Sequence, residues 1–216
     1  MIRSGESRRA VASACAAGVG FVVLTMLVAT GASETVDVAT REAFRPDDVW
    51  GTAQAVTRPV IDGLEPRRAF ALLALIAVAT GFARHSWHPV ATAALAIGTT
   101  SAATLVTKHA VGRPDPHLDL YSGGSYPSGH IVADLVSAGC ILLLFVTRTR
   151  WWMWLLLVLP LGATMALAML FTAAHWLTDV IGGGLLSVVV LALLSTSPAR
   201  PGSPPDGRTE ARLANG

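Results

Sequence analysis

An all-α membrane protein, a bundle of six transmembrane helices, is the fold class predicted by three features of the sequence. Hydrophobic residues make up 52% of the 216 residues and charged ones only 14%, and mean hydropathy is +0.55, too apolar for an ordinary soluble domain. The apolar residues come in long uncharged blocks, near the roughly 20 residues that a helix needs to cross the hydrocarbon layer. Between the blocks lie polar stretches rich in Pro, Gly, Asp and Arg, where such a chain turns round.

Residues 1–9 are polar and carry Arg3, Arg8 and Arg9, and residues 10–32 then run without a charge as the first span. Thr30-Gly31-Ala32 imitates a signal-peptide cleavage site, but the uncharged block is longer than such a peptide's apolar region, so it reads as a retained helix. Residues 33–68, with Trp50 and prolines 46, 59 and 66, form an extramembrane segment with room for a short amphipathic surface helix. Residues 69–83 form the second span, and 87–107, opened by Trp87 and Pro89, the third. A second polar segment occupies 108–129, and 130–147 is the fourth span. The block from Trp151 to Leu194 is too long for one crossing and reverses at Thr172, His175, Thr178 and Asp179. It gives spans near 151–171 and 175–195. Residues 1–195 thus read as a single membrane domain, and 196–216, rich in Pro, Gly and charge, as a disordered cytoplasmic tail.

Arginines in short loops set the orientation. With the N-terminus in the cytoplasm, Arg84, Arg148 and Arg150 all fall inside, beside an aromatic belt of Trp151, Trp152 and Trp154. The 33–68 segment, the 108–129 segment and the turn at 172–179 then all face outward. A net charge of +2 and the lack of a basic stripe argue against a nucleic-acid partner. Cys15 and Cys140 fall inside apolar runs and read as small core residues. No cluster of ligand residues suggests a metal or cofactor, and the expected partners are the bilayer and a lipid substrate.

The chemistry concentrates at two helix entrances, Tyr126-Pro127-Ser128-Gly129-His130 and His175-Trp176-Leu177-Thr178-Asp179. A helix N-terminus offers unpaired N–H groups and a positive dipole end to an anion. Ser128 can cap its helix, and Gly129 lets the backbone approach an oxyanion. Lys108, the only lysine in the chain, and Arg113 add cations, which together make a phosphate pocket. Asp179 follows His175 by four residues, so a helix puts both on one face, where the carboxylate can fix the imidazole tautomer and leave the other nitrogen to attack. Asp134 stands at the same spacing from His130 as a candidate orienter, and a charge inside a span points to function. Taken singly, a histidine at a helix mouth is an interfacial residue with a satisfied hydrogen bond, and His85, His88, His109 and His117 keep that reading. The joint pattern around His130 and His175 sets those two apart.

With these motifs the chain resembles the type 2 phosphatidic acid phosphatase family, whose six-helix membrane core is related to the vanadium haloperoxidases. Pro127-Ser128-Gly129-His130 matches the family's second motif, His175 and Asp179 match the end of its third, and Lys108 with Arg113-Pro114 resembles its first. At strict motif spacing, however, the family's arginines fall on Asp115 and Met169, and its serine on Ala168. Arg113 is expected to substitute for one, and an arginine from the 33–68 segment (Arg41, Arg45 or Arg58) for the other. The resemblance implies a metal-independent lipid phosphate or diphosphate phosphatase. His175 would form a phosphohistidine, His130 would protonate the leaving oxygen, and Lys108, Arg113 and the Ser128-Gly129 amides would hold the phosphoryl oxygens. Polyprenyl diphosphate, phosphatidic acid and phosphatidylglycerol phosphate are the candidate substrates. The rival expectation is a relative that binds or moves an anionic lipid without turnover.

Overall fold

The computed structural model describes residues 3–117, 124–146 and 153–196, and among these every regular element is helical. In chain order they are α1 (Arg3–Ala29), α2 (Glu34–Phe44), a 3-10 turn (Pro46–Asp48), α3 (Thr52–Gly63), α4 (Pro66–Ala83), α5 (His88–Val111), α6 (Gly129–Phe145), α7 (Leu159–Phe171) and α8 (Leu177–Thr196). A π-helical turn at Trp154–Val158 leads into α7. Local chemistry sets several boundaries. Pro66, Pro89 and Pro160 stand in the first turns of α4, α5 and α7, where a missing N–H costs nothing. α5 stops at Gly112, whose left-handed φ of 60° returns its amide to the Lys108 carbonyl at 2.8 Å.

Among the described residues, four stretches are long and apolar enough to cross a membrane: Arg8–Ala29, Thr52–Ala83, His88–Val111 and Leu177–Ser195. Gly129–Phe145 and Leu156–Phe171, which the sequence also suggests as crossings, are apolar but shorter. The 33–68 segment holds more structure than the single surface helix expected there, namely α2, the 3-10 turn and α3. Arg148, Arg150, Trp151, Trp152 and the expected tail from residue 197 onward lie outside the described residues.

α6 sits at the centre, packed against α4, α5, α7 and α8, while α1 runs along α8. Leu73 and Ala77 of α4, Ala93 and Ala96 of α5, Val132, Val136 and Cys140 of α6, and Leu186 and Val190 of α8 form the main core. Val19, Val22 and Met26 of α1, Leu72 and Leu75 of α4, Leu105 and Val106 of α5 and Val188 of α8 point outward, the surface a bilayer would solvate. Because lipid tails are as apolar as leucine, close packing through small residues holds such a bundle together. Gly182 and Gly183 show this at the site end of α8. A Cβ at Gly182 would lie 2.6 Å from the Tyr126 ring, and one at Gly183 2.9 Å from the Ser128 carbonyl. Their bareness lets α8 seat against the turn that opens α6.

The ends of α1, α5 and α7 and the starts of α4, α6 and α8 gather at one end of the bundle, covered by α2 and α3. Gln54 of α3 donates to the Phe171 carbonyl at 2.9 Å, Phe44 meets Phe171 edge to face at 5.1 Å, and Tyr126 Oη pairs with Thr25 Oγ1 at 3.0 Å. Full burial pushes the Tyr126 phenol up from its ordinary pKa.

Candidate active site

His130 is the second residue of α6, and His175 stands in the turn just before α8. Their helix starts meet through the backbone, and the two imidazole centroids lie 6.4 Å apart with the rings at 71°. Both rings line a cavity of about 1030 Å³. His175 Nδ1 and Asp179 Oδ2 are 3.1 Å apart, although His175 lies ahead of α8 and does not share a helix face with Asp179. Asp179 is fully buried and also accepts the Trp176 amide at 3.1 Å. This bond assigns the Nδ1 proton to the aspartate side, so that Nε2 is the nitrogen offered to the cavity.

Arg113 departs from the expectation of a phosphate ligand. Its Nη1 donates to Asp179 Oδ1 at 3.0 Å and to Thr178 Oγ1 at 2.7 Å, and its Nη2 to Asp37 Oδ2 at 2.6 Å. The guanidinium also lies 5.0 Å over the Trp176 ring. Two buried carboxylates claim this cation, and it borders a separate cleft of about 570 Å³ rather than the cavity between the histidines. Arg113 thus braces the aspartate from behind.

The other expected phosphate ligands divide. Lys108 lines the cavity, its ammonium donating to the Gly124 carbonyl and, at 3.2 Å, to that of Ser125. Gly129 also lines it, with its amide in the first turn of α6. Ser128 does not. Its amide is taken by the Asp179 carbonyl at 2.9 Å, and its buried hydroxyl makes no cap but faces Met169 Sδ at 3.4 Å. Asp134 lies one turn below His130, yet neither of its buried oxygens has a hydrogen-bond partner among the described residues, so it does not orient that ring.

Met169 is fully buried in an apolar cluster with Ile61, Met165 and Ala168. Asp115 lines the cavity and accepts the His117 amide at 2.9 Å. Cations reach the cavity instead from α2's end and from α3. Arg45 is almost fully buried, donating to the Thr172 carbonyl at 2.8 Å and the Asp48 carbonyl at 3.0 Å, with its Nη1 3.4 Å from His117 Nε2. Arg58 is half-exposed and paired with Asp62 at 2.9 Å. Both line the cavity, whereas Arg41 borders the smaller cleft. Among the described residues, no group of three or more His, Cys, Asp or Glu is placed to hold a metal ion.

Sequence reasoning missed Asp37. The signal was an inverted amphipathic pattern: Ser33, Asp37, Arg41 and Arg45 recur every four residues on the inward face, while Val36 and Val38 point out.

Comparisons with known proteins bear on the fold and the family. The chain is similar in structure to the crystal structure of the first transmembrane PAP2 type phosphatidylglycerolphosphate phosphatase from Bacillus subtilis, at a TM-score of 0.72. That likeness covers 85% of this chain and 94% of the other at 20% sequence identity, and so speaks for the shared fold. A search of curated proteins gives no match. The PAP2 superfamily profile matches residues 89–202, which takes in both histidines, Lys108 and Asp179. With more than half of its length matched, the chain belongs to the PAP2 superfamily.

Proposed function

We propose that the chain is a multi-pass membrane phosphatase acting on a lipid phosphate or diphosphate through a phosphohistidine, with its site on the extracytoplasmic side. The observation that carries this is the pair of imidazoles 6.4 Å apart across one cavity, one of them held by a buried carboxylate. A phosphoryl group fits between such rings. The His175 Nε2 lone pair forms the N–P bond as the P–O bond to the lipid breaks on the opposite side. The leaving oxygen takes its proton from His130, and the charge gained by the His175 ring is balanced by Asp179. Water, deprotonated by the now neutral His130, then cleaves the N–P bond. Because His175 must enter unprotonated and His130 protonated, kcat/KM has a bell-shaped pH dependence.

In this reading Lys108, the Gly129 amide and the guanidinium groups of Arg45 and Arg58 hold the phosphoryl oxygens. Arg45 is fixed by two carbonyls, and Arg58 turns from exposed Asp62 to the substrate. A site at the ends of apolar helices suits a substrate whose head group enters while its tail stays in lipid. The test is phosphate release by purified protein in detergent or vesicles, against phosphatidic acid, phosphatidylglycerol phosphate and polyprenyl diphosphate. Release inhibited by vanadate and unaffected by chelators supports the reading. A second reading, binding without turnover, is favoured by apolar Met169 and acidic Asp115 where the family carries arginines. Tight lipid binding with no release would establish it.

A further inference from the structure

Asp37 belongs to α2, outside residues 89–202, and nothing in the mechanism above uses it. It is nonetheless buried, at 1% exposure, and hydrogen-bond donors meet it from two other parts of the chain. Its Oδ1 accepts the Thr178 amide at 2.9 Å. Its Oδ2 accepts the Thr178 hydroxyl at 2.7 Å and Arg113 Nη2 at 2.6 Å. Thr178 is the second residue of α8, so its amide is one of the N–H groups that a helix start leaves unpaired. Asp37 therefore caps α8 from another helix and shares one guanidinium with Asp179.

We propose that Asp37 is a positioning residue of the catalytic centre, keeping Arg113 divided between two carboxylates so that Asp179 stays aimed at His175. The assignment rests on the phosphatase reading. One guanidinium between two carboxylates leaves a net negative charge when His175 is neutral, and that charge is matched as the ring becomes cationic on bonding phosphorus. Without the Asp37 charge, Arg113 falls wholly to Asp179. The aspartate is then neutralised before the ring needs it, and the first turn of α8 loses its cap. α2, by sequence an unremarkable surface helix, becomes part of the machinery.

The test compares wild type with Asp37→Asn, Thr178→Val and Thr178→Ser, using Glu34→Gln, an exposed change on the same helix, as control. Turnover, KM and the rate of His175 phosphorylation are measured per folded molecule with whichever lipid phosphate the wild type hydrolyses. Asp37→Asn is expected to lower kcat and the phosphorylation rate together by roughly 10- to 100-fold, the range for groups that orient a working histidine from behind. KM stays within about twofold, because Asp37 does not line the cavity. Thr178→Val, which keeps the carboxylate, gives a smaller loss in the same two rates, and Thr178→Ser restores them. That pair decides the question should Asp37→Asn fail to fold. Unchanged kcat in Asp37→Asn, or in Thr178→Val if only that variant folds, overturns the assignment while leaving the phosphatase intact. A wild type without turnover on any lipid phosphate removes the phosphatase reading itself, and this assignment with it.

Discussion

The Ser128 amide donates to the Asp179 carbonyl at 2.9 Å, so the turn that opens α6 is bonded directly to the first turn of α8. His130 follows directly on the first of these, and His175 just precedes the second. Their separation is thus set by main-chain contact, reinforced by the bare faces of Gly182 and Gly183 against Tyr126 and Ser128. Preorganisation of this kind suits the proposed attack on phosphorus by one histidine with proton donation from the other.

Gly182→Ala should lower stability by about 1–3 kcal/mol, because its Cβ would meet the Tyr126 ring in a packed interface. Gly184→Ala, with open space beside it, should be within about 0.5 kcal/mol of wild type. Thermal unfolding in detergent distinguishes them. Equal midpoints would mean that the α6–α8 seat has room for a methyl group at Gly182.

Arg113→Ala should act on stability more than on substrate affinity. It leaves the buried carboxylates of Asp37 and Asp179 facing each other without their cation, a loss of about 3–5 kcal/mol by analogy with other broken buried pairs. A large rise in KM with an unchanged melting temperature would instead restore Arg113 as a phosphate ligand.

Arg58→Ala should lower kcat/KM by about 10- to 100-fold, the effect expected for losing a charge-assisted contact to the phosphoryl group. Its present pair with half-exposed Asp62 contributes only about 0.5 kcal/mol, so the melting temperature should hardly move. Arg67→Ala, removing a guanidinium that is 91% exposed and away from the cavity, is the matched control. Equal kinetics in the two variants would exclude Arg58 from the phosphate site.

The sequence made the apolar helices legible because length in apolar residues marks a crossing. It also brought His175 and Asp179 together by their short separation, but His175 lies in the turn before α8, so the contact comes from that turn and not from a shared helix face. The role of Arg113 was not legible in the same way. Its position two residues before Asp115 suggested a displaced phosphate ligand, but its partners come from α2 and α8, 76 and 66 residues away. Asp134 shows the limit of periodicity, since sharing a face with His130 does not bring the carboxylate to the ring. Arg45 stood among the candidates by charge alone, and only the packing of α2's end on the α7–α8 turn singles it out over Arg41.

In the proposed mechanism His175 takes the phosphoryl group while His130 serves the leaving oxygen. Rapid quench of the purified protein with a lipid substrate labelled in its phosphate, held at high pH where phosphohistidine survives, tests it directly. Acid-labile label is expected on His175 in wild type, none in His175→Ala, and in His130→Ala label that forms slowly but still sits on His175. Label on another residue, or turnover in His175→Ala at the wild-type rate, would contradict it.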